Sequence, residues 1–220
     1  MVKALQIPLW HPTGLTRLLG VPVAERVECP VLSEQVQEIE VKYRVVLDGP
    51  ALEAALAARG AVLSAPVRQD DQAYAPQSWS YGDSKIGVPF ARLRTQEGQH
   101  LFTVKRPMAN EQACIEHETT VADRAQMHDA LVTMGFQPTV RIVKTRRTAR
   151  MDTQELGGVL VCVDEVEHLG LFLELEAVMQ VDSAEGAQQT LDRLARSLGV
   201  ELERTSDTYD SLVRQALATA

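Results

Sequence analysis

The sequence predicts an α+β domain dominated by one large antiparallel sheet. Three observations carry this: segments with period-two alternation recur along the chain, their spacings suit hairpins, and a strand followed by a helix ending at glycine is written three times. The 220 residues, 45% of them hydrophobic, suffice for one sizeable core. About eight strands can be counted, a number at which a sheet can close into a barrel.

Residues 1–37 carry Pro8, Pro12, Pro22 and Pro30 without a sustained period and read as an N-terminal extension. From Glu38 the alternation is clean, with Ile39, Val41, Tyr43 and Val45 on one side and Glu38, Glu40, Lys42 and Arg44 on the other. Pro50 opens a helix through Leu52 and Leu56 that Gly60 stops. Gln69 to Val88 reads as the longest irregular stretch, and its Tyr74, Trp79 and Tyr81 make it either a binding loop or a packed surface loop. Strands are predicted over Phe90 to Thr95 and His100 to Lys105, and around Ile115 to Glu118 before a helix from Asp123 to Met134 that stops at Gly135. Val140 to Arg150 and Val159 to Val166 are further strands, the second after the Gly157-Gly158 turn. Leu173 to Glu176 precedes a helix from Ala184 to Leu198 stopped by Gly199, and a last helix runs from Asp207 to Ala218 with Ser206 as its cap.

Composition excludes several classes of partner. A formal charge of −8 argues against an electrostatic grip on nucleic acid or an anionic membrane. No run approaches the roughly 18 apolar residues of a membrane span, and Met1 to Gly20 lacks the apolar stretch of a signal peptide, so a cytoplasmic protein is expected. Cys29, Cys114 and Cys162 are far apart, without a C-x-x-C pair, and read as reduced buried thiols. His117 alternates with two glutamates and so faces away from them, His168 falls in a turn, and no Ser-His-Asp or Cys-His arrangement can be built from the spacing.

The chemistry lies in what alternates with the apolar residues. Glu38, Glu40 and Lys42, then Arg92 and Arg94, Glu116 and Glu118, Lys144 and Arg146, and Glu174 and Glu176 are each spaced i, i+2 and therefore co-facial. Lys105 ends another strand and Asp164 lies in a valine-rich one, so seven acids and six bases project from one sheet surface. Periodicity leaves open whether that surface is a solvated exterior or the inside of a closed sheet. Its near-purely ionic content pulls toward the interior, as does the placing there of three of the chain's five lysines. An inward face of this kind must be balanced by internal pairing and by a ligand. A polyanion with a divalent metal matches both halves, because carboxylates suit Mg²⁺ or Mn²⁺ and Arg and Lys suit phosphate oxygens. No G-x-x-x-x-G-K-[ST] or G-x-G-x-x-G loop is present, so side chains must hold the phosphates.

Glu38-Ile39-Glu40-Val41-Lys42 resembles the E-x-E-x-K motif of the CYTH superfamily, the triphosphate tunnel enzymes that include class IV adenylyl cyclases and thiamine triphosphatases. The likeness continues in order through Arg92-Leu93-Arg94, Lys105-Arg106-Pro107, Glu116-His117-Glu118, Lys144-Thr145-Arg146-Arg147 and the run Asp164 to Glu176, the last being similar to the class IV cyclase branch. Ser206 to Leu212, with Tyr209, resembles that branch's closing segment. The sequence departs from the family at Asp71-Gln72-Ala73-Tyr74-Ala75, which keeps one Asp and one aromatic of a D-x-Y-[YF]-D-like segment.

The resemblance implies a closed eight-stranded antiparallel β-barrel, the triphosphate tunnel, with helices packed outside and residues 38–220 as the catalytic domain. It implies a metal site of Mg²⁺ or Mn²⁺ on Glu40 and Glu174, with Glu38, Glu116, Glu118, Asp164 and Glu176 either as further ligands or as partners that hold the ligands in place. It implies catalytic roles for Lys42 and Asp164 and a triphosphate clamp of Arg92, Arg94, Lys105, Lys144 and Arg146. The expected ligand is a nucleoside, other organic or inorganic triphosphate, without nucleic acid or membrane and with a homodimer left open. The expected activity is an adenylyl cyclase making cyclic AMP and pyrophosphate, with triphosphate hydrolysis as the alternative.

Overall fold

The structure, a computed structural model, describes residues 36–46, 49–180 and 184–219. The expectations made for residues 1–35, Cys29 among them, lie outside the described residues. In chain order the elements are β1 (Gln37–Val45), α1 (Gly49–Ala57), β2 (Val67–Pro76), β3 (Phe90–Gln96), β4 (Gln99–Pro107), β5 (Ala113–Val121) and α2 (Arg124–Thr133). They continue with β6 (Phe136–Thr153), β7 (Gly157–Val166), β8 (Gly170–Met179), α3 (Ala184–Arg196), β9 (Leu202–Thr205) and α4 (Tyr209–Ala218).

The sheet order is β5-β4-β3-β2-β6-β7-β8-β1-β9, and β1 also pairs with β5, closing a ring of eight antiparallel strands with β9 attached alongside β1. The closing contact places Glu38 opposite Cys114 and Ile39 opposite Ala113, and the Glu40 amide donates to the Gln112 carbonyl at 2.9 Å. Closure removes the free edges of the ring, and it gives each strand an inner and an outer face.

The largest apolar core is on the outside of this ring. Ile39, Val41, Tyr43 and Val45 of β1 join Val159, Val161 and Val163 of β7 and Leu173, Leu175 and Ala177 of β8 under Leu52 and Leu56 of α1 and Leu191 and Ala195 of α3. Leu52, Leu56 and Leu191 are each fully buried, worth roughly 1.5–3 kcal/mol apiece in removal of apolar surface from water. Leu131 of α2 packs on the outward Tyr74, Ala91 and Leu93, whereas Tyr209 and Val213 of α4 pack on Val140, Ile142, Val166 and Phe172, which share the inner face with Lys144, Asp164 and Glu174. α1, α2 and α3 thus cover the outer face of strands whose inner face is charged, while α4 packs against the inner face at one end of the ring. The solvated-exterior alternative for the ionic face is thereby excluded.

Three details differ from the sequence expectation. Gln69 to Pro76 belongs to β2 and is not irregular; only the segment after it, 77–88, is loop and turn. β9 was not expected, being four residues long. The last helix begins at Tyr209 with Thr208 as its N-cap, so Ser206 lies outside it; the Thr208 hydroxyl makes no capping bond and instead accepts from Lys85 Nζ at 2.6 Å. The α2 start is as expected, with the Asp123 carboxylate accepting from the amides of Ala125 and Gln126. Its chain reversal at Gly135, φ 89°, uses a conformation that glycine adopts freely.

Candidate active site

Strand register decides which charges meet. Directly opposed residues on neighbouring antiparallel strands share a face, and the opposed pairs here are Lys42 with Glu174, Glu40 with Glu176, Arg146 with Asp164, Arg94 with Asp71, Lys105 with Glu116 and Thr103 with Glu118. Acid stands against base in four of the six pairs. The i, i+2 spacing of each E-x-E, R-x-R or K-x-R then extends these pairs along the lumen.

The thirteen residues expected at the site fall into two ion-paired clusters, one of Lys42, Glu40, Glu174, Glu176, Arg146, Asp164 and Lys144 and one of Arg92, Lys105, Glu38, Glu116 and Glu118 with Arg94 joined through Asp71, and not all reach the cavity. Glu38, Glu40, Lys42, Arg92 and Lys105 line it, together with Lys144, Arg146, Glu174 and Glu176. The other four are not among the residues that line it. Arg94 is bound bidentately to Asp71, with Nε to Oδ1 and Nη2 to Oδ2 both at 2.8 Å. Asp164, fully buried, accepts from Lys144 Nζ at 2.8 Å and from Arg146 Nε at 2.7 Å and Nη2 at 2.6 Å. Glu116 pairs with Lys105 at 2.5 Å, and Glu118 accepts from Thr103 at 2.7 Å and Arg92 at 3.3 Å.

Electrostatics follow from this crowding. Burial works against the Lys42 ammonium, but Glu40 at 3.3 Å and Glu174 at 3.2 Å outweigh it and raise its pKa. Lys144 moves the other way, because burial and neighbouring Arg146 outweigh Asp164. Burial opposes the charge of Asp71, yet Arg94 and Arg92 hold its carboxyl down at about 2. Glu174 ionises well below the usual carboxylate range, since Lys42 and Arg146 overcome its burial. Glu176 is the exception: burial, helped by Glu38, Glu174 and Glu40 and opposed by Arg146, pushes it up to about 8.

That excess of carboxylate is the test of fit for a divalent cation. Four glutamates on two adjacent strands, Glu38 and Glu40 of β1 and Glu174 and Glu176 of β8, offer hard oxygen ligands to the cavity. The residues therefore fit Mg²⁺ or Mn²⁺. Cys162 Sγ lies beside Glu174 and Glu176, within 4.8 Å of a carboxylate oxygen of each, and burial raises its pKa.

Several site residues were not assigned from the sequence. Tyr209 enters the lumen from α4, donates to Asp164 Oδ2 at 3.0 Å and presents its ring to two lysines, Lys42 at 4.4 Å and Lys144 at 4.7 Å. Lys85, buried in the 77–88 loop, donates to Thr208 and to Ser211 Oγ at 2.9 Å and pairs with Glu111 at 3.0 Å, pinning the loop to α4 and to the turn before β5. The scarcity of lysine was a usable signal for it. Along β2, β3 and β6 the inward residues pass from charged to apolar: Asp71 to Ala73 and Ala75, Arg92 to Phe90, and Lys144 to Ile142. Trp79 and Tyr74 complete that apolar section of the wall.

Comparison with known proteins gives a consistent picture. A family model described as the CYTH domain matches residues 36–209. The PH1819 protein of Pyrococcus horikoshii shares the fold with a TM-score of 0.65 at 23% identity, over 81% of this chain and 98% of that one. A candidate adenylate cyclase from Vibrio parahaemolyticus gives 0.62 at 19% identity, over 82% and 97%. HpAC1 from Hippeastrum, a candidate adenylyl cyclase with a dominant triphosphatase activity, gives 0.54 at 15% identity, over 82% and 95%. No curated protein matches the sequence.

Proposed function

This chain belongs to the CYTH domain family, and on that premise we propose that it is a metal-dependent enzyme acting on a triphosphate, in the first instance an adenylyl cyclase that converts ATP to cyclic AMP and pyrophosphate. The observation that carries the reading is the lumen itself: bases and carboxylates alternate around one cavity whose wall turns apolar along β2, β3 and β6. Arg92, Lys105, Lys144 and Arg146 hold the phosphate oxygens, Arg92 by its planar fork, Arg146 through the Nη1 that Asp164 and Glu174 leave open, and the lysines as point charges. Glu38, Glu40, Glu174 and Glu176 hold Mg²⁺ or Mn²⁺, which when bound supplies charge neutralisation for the transferring phosphate. Ala73, Ala75, Phe90 and Trp79 accept the organic group.

In the cyclase reading the ribose 3′-hydroxyl attacks the α-phosphorus and loses its proton, the bond to the β-phosphate breaks, and pyrophosphate leaves. Lys42, kept charged by Glu40 and Glu174, counters the negative charge that builds on the leaving group. Asp164 acts by positioning, since its oxygens are already taken by Lys144, Arg146 and Tyr209. Arg94 acts the same way through Asp71, which stands 4.0 Å from Arg92. The proposed location is the cytoplasm; no helix of the described residues is long and apolar enough to cross a membrane.

One observation favours hydrolysis as a second reading. The Lys105 and Arg92 side chains are 31% and 25% exposed, so water reaches the bases that would grip the phosphates. Purified protein incubated with Mg²⁺ or Mn²⁺ and ATP, tripolyphosphate or thiamine triphosphate separates the two readings. Cyclic AMP with equimolar pyrophosphate selects the cyclase; orthophosphate release without cyclic nucleotide selects the triphosphatase; no product from any of them removes both.

A further inference from the structure

Where β1 meets β5, one rung of the ring is completed by side chains. The two strands pair at Glu38 with Cys114 and at Ile39 with Ala113, and at the next rung the Glu40 amide donates to the Gln112 carbonyl at 2.9 Å. An antiparallel rung of this kind ordinarily exchanges two backbone bonds. Here the return bond is diverted at both ends: the Gln112 amide donates to Asn110 Oδ1 at 2.9 Å, and the Glu40 carbonyl accepts from Gln188 Nε2 of α3 at 3.1 Å. We propose that Gln188 is a positioning residue for the metal ligand Glu40: from outside the barrel its amide fixes the Glu40 backbone at this rung, and with it the carboxylate that reaches the cavity.

The two diverted bonds are tied to each other. Asn110 Nδ2 donates to Gln188 Oε1 at 2.9 Å and Gln188 Nε2 donates to Asn110 Oδ1 at 3.2 Å, a reciprocal amide pair. Both orientations are over-determined: the Gln112 N–H can only donate, which sets Oδ1 of Asn110, and the Glu40 carbonyl can only accept, which sets Nε2 of Gln188. Ala187 and Leu191 of the same helix are buried in the outer core with Ile39 and Val41, so α3 holds the donor on a rigid base. Glu40 depends on such support. The residue opposed to it on β8 is another acid, Glu176, and its ion pair is with Lys42 at 3.3 Å, a base shared with Glu174 at 3.2 Å. Glu174 makes the contrast, being held by both Lys42 and Arg146. A strand side chain takes its direction from the backbone that carries it, and a metal ligand has to be held to within about 0.5 Å.

The inference rests on the metal reading above, and the test keeps the two apart. Mn²⁺ alone is titrated into the full chain, with free Mn²⁺ followed by electron paramagnetic resonance, for the wild type, Gln188→Met, Asn110→Ala and the double variant. Gln188→Met keeps the length of the side chain and deletes its amide, and the affinity should fall about 3- to 10-fold, the size of one neutral hydrogen bond. Asn110→Ala should do the same, and the double variant should lose no more than either alone, because the two amides act as one unit. Leu191→Val, which thins the outer core under the same helix, should lower the melting temperature and leave the Mn²⁺ affinity within about twofold. Unchanged affinity in Gln188→Met overturns the assignment and leaves the metal reading standing. An equal loss in Leu191→Val overturns it too, because that marks a general loosening of α3, and additive losses at Asn110 and Gln188 overturn the paired action. Absence of Mn²⁺ binding to the wild-type chain overturns the metal reading and this inference with it.

Discussion

Tyr209 donates its hydroxyl to Asp164 Oδ2 at 3.0 Å, linking the last helix to the most buried acid of the lumen. Asp164 also holds Lys144 and Arg146, and the Tyr209 ring faces Lys42 and Lys144. One residue of α4 therefore supports three of the bases proposed to meet the substrate.

Tyr209→Phe keeps the ring and removes the bond to an ionised acceptor, a contact worth about 1.5–3 kcal/mol. We expect kcat/KM to fall by about 10- to 100-fold, with the melting temperature lowered and the ring contacts intact. Tyr209→Ala should cost more in both, since it also opens the α4 packing on Phe172. Steady-state kinetics beside thermal melts of the two variants check this.

Glu40→Ala and Glu174→Ala should each abolish turnover, but they should differ in stability. Counting charges suggests that loss of any carboxylate relieves repulsion. The pairing reverses this for Glu174, which is 3% exposed and balances Lys42 and Arg146, so its removal should destabilise by about 3–5 kcal/mol. Glu40 is more accessible and shares Lys42 with Glu174, so its loss should cost clearly less. Chemical denaturation of the two variants gives the comparison.

Glu176 sets a pH dependence of opposite sign to Asp71, Asp164 and Glu174, whose carboxyls are held low. Its pKa rises from the ordinary 4.5 to about 8 on folding, so between those values the folded chain binds a proton that the unfolded chain has released. The resulting stabilisation is full below about 4.5 and is lost as pH rises through about 8. Metal-free protein should therefore lose melting temperature between about pH 4.5 and pH 8, and Glu176→Gln should flatten that slope. A slope equal in both proteins would assign the loss to another group.

A ligand that binds only the folded chain stabilises it by mass action, by about 2.7 kcal/mol at a hundredfold excess over Kd. Tripolyphosphate with Mg²⁺ should raise the melting temperature of the wild-type chain, and by less in Arg92→Ala. An unchanged melt at millimolar ligand would contradict the proposed clamp.

How much of this was legible in the sequence depended on whether a strand's two faces differ in chemistry. β1 and β8 announce themselves because Glu38, Glu40 and Lys42, or Glu174 and Glu176, alternate with residues of the outer core. β2 escaped because its inner Gln69 and Asp71 and its outer Asp70 and Gln72 are polar alike, so no period stands out. Periodicity also could not say which face is inside; here both faces of β1 are buried, the charged one by closure of the ring and the apolar one by α1 and α3. The site residues supplied by single positions, Lys85 from a loop and Trp79 from a turn, have no strand alternation to mark them. Asp71 was visible only as the surviving acid of a segment that departs from the family; its bond to Arg94 is a product of register.

The central claim, that the alternating charges line a lumen that grips a triphosphate, is tested most directly by comparing three single substitutions in kcat/KM. Arg92 and Lys105 line the cavity, whereas Arg196 is an exposed base at the end of α3. Arg92→Ala and Lys105→Ala should each lower kcat/KM by about 100-fold or more, roughly 2.7 kcal/mol of transition-state stabilisation, and Arg196→Ala should leave it within about twofold. Equal, small losses at all three positions would mean that the lumen bases do not touch the reacting phosphates, and the account would fail.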